Sequence, residues 1–161
     1  MKVDKNQAII DFIIQCPQIR DNPLFFNFIN AKDNNKQIVT LSNDRIIDRP
    51  YIDGSVLKRY TFTIIDYKSI AYNPIVKQGL YADENVEEMF DTQAILDWVS
   101  EQADLMNYPD FGEDCTIDDM RVTTNSPNLN GVDTSVTPAL AKYSLTIQVD
   151  YVDYSKQIWN K

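Results

Sequence analysis

Two apolar rhythms run along this chain. In residues 4–16, Ile9, Phe12, Ile13 and Cys16 recur at i, i+3, i+4 and i+7, the spacing of one helix face. Ile10 and Ile14 add an adjacent stripe, so this helix meets both a core and a neighbouring surface. Asp4 is placed as its N-cap and Pro17 as its stop. A second helix is predicted from about Asn85 to Met106, where Asn85 and Glu88 have capping-box spacing and Asp83 or Glu84 is a competing start. Its core stripe is Met89, Thr92, Leu96, Val99, Ala103 and Met106. The strand rhythm is clearest in residues 56–67, where Tyr60, Phe62 and Ile64 alternate with Arg59, Thr61 and Thr63, and in residues 139–152, where Tyr143, Leu145, Ile147, Val149 and Tyr151 alternate with polar residues.

Weaker signals fill the intervals. Residues 37–41 and 116–123 read as strands, and 46–51 as an extension or a short edge strand, since Pro50 lacks a donor. The aromatic segment 23–29 reads as a turn or helical stub, Asp53-Gly54 as a turn, and 73–85 as a connection. The polar, turn-rich stretch 124–138 reads as a long flexible loop, and Trp159 stands in a short tail. The sum is one domain, residues 1–161, of the α+β class: a mixed, mainly antiparallel sheet with two helices packed on one face.

The second helix carries a further line of apolar residues, Phe90, Ala94, Trp98 and Leu105. Glu87, Asp91 and Glu101 flank it, and with Asp97 and Asp104 they form an acidic surface. Two readings stay open. The helix is sunk deeper in its own core, or this line is a contact between subunits, where aromatics ringed by polar groups are favoured. On the second reading, Trp98→Glu harms assembly more than monomer folding.

Charge sharpens the picture. The net charge is -9, and no Lys or Arg occurs between Gln78 and Met120, where all the charged residues are Asp or Glu. Such a surface repels phosphate backbones, suits a basic partner, and aids solubility. The sequence has no histidine, which removes His-based triads, His zinc sites and the usual general base near neutral pH. With 4 glycines no phosphate-cradling loop can be written. Cys16 and Cys115 form no CxxC pair and read as reduced packing thiols. Asp114, Asp118 and Asp119 are a conceivable Mg²⁺ or Ca²⁺ set, but their spacing matches no EF-hand loop. Neither a membrane span nor a signal peptide is expected, and no catalytic group, metal or cofactor is assigned.

A family resemblance rests on the order of several segments: the helix ending in Cys16-Pro17, the aromatic segment, and the turn Tyr51-Ile52-Asp53-Gly54. The strand Lys58-Arg59-Tyr60-Thr61-Phe62, the helix around Ile95-Leu96-Asp97-Trp98-Val99-Ser100-Glu101-Gln102, the Pro109 connection and the final Ala141-Lys142-Tyr143 strand continue it. In that order the chain resembles the tail terminator proteins of long-tailed bacteriophages of Gram-positive hosts. The resemblance implies a small α+β subunit, not an enzyme, that assembles as a hexameric ring and can stay monomeric in solution until it meets the tail tube. The implied ring caps the tube, ends its polymerisation and contacts neck or connector proteins, while DNA passes through its bore without specific binding. The implied location is the head–tail junction of the virion, with assembly in the host cytoplasm. Two other readings compete: an acidic inhibitor or immunity-type protein that binds a basic partner, and a carboxylate enzyme.

Overall fold

The structure is a computed structural model. It describes residues 3–20, 22–27, 35–69, 75–77, 80–82, 86–124, 128–133 and 140–156, of which 42–44, 68–69, 75–77, 80–82, 86–91 and 128–133 are described by backbone alone. The elements in order are α1 (Lys5–Ile13), α2 (Pro17–Arg20), β1 (Leu24–Phe26), β2 (Lys36–Ile46), β3 (Val56–Ser69), β4 (Ile75–Lys77), β5 (Leu80–Ala82), α3 (Val86–Asp104), β6 (Cys115–Val122), β7 (Asn128–Asp133) and β8 (Leu140–Asp153). The class is α+β, with a mixed, mostly antiparallel sheet.

Two long strands form the spine. β3 and β8 pair antiparallel along their whole length, from Val56↔Asp153 to Ser69↔Leu140. The sheet order is β1-β2-β3-β8-β6, with β7 also on β8, and β4–β5 form a separate small hairpin. Only β1 on β2 is parallel. The alternation predicted for the spine holds: Tyr60, Phe62 and Ile64 and the facing Tyr143, Leu145, Ile147, Val149 and Tyr151 are all buried. Ile9, Phe12 and Ile13 of α1, Cys16, and Ile95, Leu96 and Val99 of α3 belong to the same buried cluster as most of these residues.

α1 starts where the sequence places it, with the Asp4 carboxylate accepting from the Asn6 amide at 3.0 Å. Pro17 does more than stop it. Tight turns close the helix as the Gln15 and Cys16 amides donate to the Phe12 and Ile13 carbonyls, and Pro17 then opens α2, a position where its missing N–H costs nothing.

Four sequence expectations are corrected. Segment 23–29 holds the strand β1 at Leu24–Phe26 in place of the expected turn or helical stub. β1 gives out at Asn27, which takes a left-handed φ of 50° and uses its side chain to bond the Thr40 amide and hydroxyl. Residues 46–51 are no separate strand; β2 runs in one piece to Ile46 through two register shifts. The connection 73–85 contains β4 and β5. The stretch 124–138 contains β7, which has no apolar alternation and exists because the edge of β8 offers it hydrogen-bonding partners from Ser144 to Leu140. Its register shift falls between Leu129 and Val132, around Gly131. The proposed capping residue Asn85 and Trp159 lie outside the described residues.

Met106 is a further departure. Periodicity puts it on the core stripe of α3, yet it is 76% exposed. The helix ends in a Schellman-type turn: the Met106 amide donates to the Ala103 carbonyl, the Asn107 amide to Gln102, and Met106 itself takes a left-handed φ of 57°. That turn swings its side chain off the stripe. The chain then reaches β6 through a pinned connection. Phe111 packs edge-on against Tyr151 with ring centroids 5.1 Å apart, and Gly112 lies so close to Val3 that a Cβ there would sit 2.8 Å from Val3 Cγ2.

Candidate functional site

The predicted contact stripe divides. Trp98 is half-buried and packs on Phe12 of α1, ring centroids 5.1 Å apart and tilted by 44°. Ala94 is also half-buried, and Leu105 is 67% exposed beyond the end of α3. The Phe90 side chain lies outside the described residues. The indole therefore packs on the chain's own core while staying half-exposed, and among the described side chains of the line Leu105 is the one that faces outward. Ile95, which neither predicted stripe includes, is fully buried.

Of the acidic surface, Asp97, Glu101 and Asp104 are exposed on α3, and Gln93 donates to Asp97 at 2.9 Å. Glu87 and Asp91 are placed on α3 by backbone alone. Asp110, Glu113, Asp114 and Asp118 are exposed along the connection and the start of β6. Asp114, Asp118 and Asp119 do not converge: Asp119 instead accepts from Arg121 at 2.8 Å. Among the described residues, no group of three or more Cys, Asp or Glu side chains is arranged to hold a metal ion.

Two ionic arrangements sit on β3, on opposite sides of the sheet. The first is buried. Lys36 Nζ lies 2.7 Å from Asp66 Oδ1, with the side chains 1% and 0% exposed. The approach misses hydrogen-bond geometry at that oxygen, so the contact is chiefly coulombic. Thr92 of α3 donates to Asp66 Oδ2 at 2.9 Å. Three elements thus converge on one carboxylate. A sequence signal existed: Asp66 continues the inward alternation of Tyr60, Phe62 and Ile64, and Lys36 stands two residues from the buried Ile38.

The second arrangement borders solvent. Arg59 grips Asp150 with two bonds, Nε to Oδ1 at 2.7 Å and Nη2 to Oδ2 at 3.1 Å. Arg121 stands 3.6 Å from Asp150 and also donates to Asp119 and, at 2.9 Å, to Gln148. Nearby at the same end of the strands, burial pushes the Asp153 carboxyl up, but bonds from Lys58 and Ser155 together with the Lys58 charge outweigh it and hold the group at about 2.

Cys16 is fully buried and its thiol donates to Gln18 Oε1 at 3.2 Å. Burial raises the thiol above its ordinary value, against weaker opposing effects of backbone hydrogen bonds and of Lys36 and Arg20. Such a thiol packs and does not attack. Both cysteines are free.

What remains is contact surface. The β2–β3 connection projects a turn in which the Gly54 amide donates to the Tyr51 carbonyl, and Asp53 accepts from the Ser55 amide and hydroxyl. Gly54 has a φ of 88°, the freedom this turn needs. Ile52 at its crest is 98% exposed, beside the exposed Tyr51 and Ile46. An open depression of about 570 Å³ lies between this turn and Val152 and Tyr154 at the end of β8. A second groove, of about 360 Å³, separates α1 from the connection at Tyr108–Asp110. The sequence reading passed over both, because neither has a periodic signature. No helix among the described residues is long and apolar enough to cross a membrane. No protein-family model matches the chain, and no curated protein matches it in sequence.

Proposed function

We propose that the chain is a structural subunit of a bacteriophage tail: a terminator that forms a ring at the end of the tail tube, stops its growth and joins it to the head. The observation that carries this reading is that exposed apolar residues gather at two sites, Ile46, Tyr51 and Ile52 around the β2–β3 turn and Leu105 and Met106 beyond α3, with Ile14 and Leu41 exposed singly elsewhere. Two unlike sticky surfaces on one chain favour head-to-tail contacts, and head-to-tail contacts that close make rings. The order of segments shared with tail terminators supports the same reading. So does the acidic region, since DNA slides past a negative bore without adhering. The protein works by contact, with tube and connector proteins as its partners at the head–tail junction.

The test is electron microscopy of purified chain added to growing tail tubes. Rings at tube ends and tubes of limited length are expected; unchanged tube growth with bare ends overturns the reading. One observation favours a second reading, an acidic inhibitor of a basic enzyme: Asp97, Glu101, Asp104, Asp110, Glu113, Asp114 and Asp118 are all exposed. That reading requires salt-sensitive capture of a cationic enzyme and loss of that enzyme's activity.

A further inference from the structure

We infer that the buried Lys36–Asp66 pair is a register lock. It holds the inner half of β2 out of step with the outer half of the same strand, and its removal lets β2 slide along β3.

The offset lies in the pairing of β2 with β3. At the outer end, Arg45↔Arg59 and Ile46↔Lys58 share one register. From Lys36↔Asp66 to Thr40↔Phe62 the strands keep another. The outer register, continued inward without interruption, would set Thr40 opposite Ile64, Ile38 opposite Asp66 and Lys36 opposite Lys68. The inner half is therefore displaced by two residues, and the irregularities between Thr40 and Arg45 take up the difference. A slip of two residues is also the smallest that keeps every side chain on its own face of the sheet, since a slip of one turns each residue over. The uninterrupted ladder is thus the natural competitor of the observed one.

Apolar patterning does little to choose between them. Of Lys36, Ile38 and Thr40, which share a face with Asp66, Ile64 and Phe62, only Ile38 is apolar. Farther along β2, Leu41 and Ile46 are exposed. On the other face the Tyr67 hydroxyl donates to Gln37 Oε1 at 3.3 Å, a bond open to both registers because the uninterrupted ladder sets these two residues opposite each other. β1 lies on the far side of β2 from β3, so it would travel with β2.

Charge does choose. In the observed register Lys36 Nζ is 2.7 Å from Asp66 Oδ1, with both side chains closed off from water. Thr92 donates to the other carboxylate oxygen at 2.9 Å, and because it belongs to α3 this hold on Asp66 stays in place when β2 moves. The uninterrupted ladder carries residue 36 about 7 Å along β3. It sets the lysine opposite Lys68 and leaves Asp66 facing Ile38. Like charges opposite each other weaken a sheet, and a buried carboxylate parted from its cation is strongly disfavoured. A well-packed apolar pair would serve stability at least as well, so what the ion pair adds is the choice of register. The lock is a property of the fold and stands apart from the tail-terminator reading.

Nuclear magnetic resonance of the isotope-labelled full chain tests it, because cross-strand Overhauser contacts report register directly. Wild type is expected to give one set of β2 signals, with Ile38 opposite Ile64. In the chain carrying Lys36→Met and Asp66→Leu, β2 is expected to double its signals or to move altogether, with new contacts from Ile38 to position 66 and from Thr40 to Ile64. A second chain, carrying Asp66→Ile and Lys68→Asp, moves the carboxylate two residues along β3. It is expected to draw β2 with it into the uninterrupted ladder. A single set of wild-type contacts in both variant chains overturns the lock. Failure of both to fold overturns it too, since the pair would then be a requirement for folding and not a selector of register.

Discussion

Seven residues apart on β3, Arg59 and Asp66 each belong to an ion pair, yet the two pairs have little in common. Asp66 and its partner Lys36 are 0% and 1% exposed, while Arg59 and Asp150 are 24% and 10% exposed. The solvent-side pair sits in a chain of alternating charges, Arg59, Asp150, Arg121 and Asp119, the last two about half exposed to water. The inner pair is closed off from water, and Thr92 donates to its carboxylate. The difference teaches that charge count and charge function separate. An inner pair is expensive to break because the survivor is left dry, whereas a pair at the rim is worth little.

Breaking the inner pair has the largest expected effect. Asp66→Ala is expected to lower unfolding stability by about 3–5 kcal/mol in denaturant titration, since the buried Lys36 loses the carboxylate 2.7 Å from it. Replacing both partners, Lys36→Met with Asp66→Leu, should recover most of that loss; a double variant as unstable as the single one would show that the pair is worth more than apolar packing. Thr92→Val comes next, at about 1.5–3 kcal/mol, because it removes a hydrogen bond to a buried charged group while keeping the shape. At the rim, Arg59→Ala is expected to cost about 1–2 kcal/mol, because Arg121 stays 3.6 Å from Asp150. Loss as large as that of Asp66→Ala would erase the contrast. The smallest effect is in pH. Asp153 has a folded value near 2, below its ordinary 3.8, so its contribution is present above about pH 4 and fades as pH falls through 2. Lys58→Met should flatten that acid limb in melts recorded from pH 5 to 2.

How much could be read in advance follows from the same physics. α1, β3 and β8 announce themselves because one face of each is buried, and burial writes a period into the sequence. β1 and β7 leave no such trace. Both are short partners recruited by an existing edge, β2 and β8 in turn, and their pairing depends on residues far away in the chain. In α3 the period placed Leu96 and Val99 correctly but missed Ile95, and it could not see the turn at Met106. Trp98 was ambiguous because its neighbour, Phe12, lies on another helix. The inner ion pair hid behind the habit of assigning charge to solvent, although alternation pointed to it. The groove beside α1 stayed illegible for a different reason: its lining comes from α1 and from residues 108–110, which only folding brings together.

One consequence follows from the sheet order. β3 and β6 do not pair with each other; β8 takes β3 on one flank and β6 and β7 end to end on the other. As the chain leaves the ribosome, no strand pairing joins β3 to β6 until β8 has been made. The final long strand works as a zip, and its long-range pairings with β3, β6 and β7 have to wait until residues 140–153 have emerged.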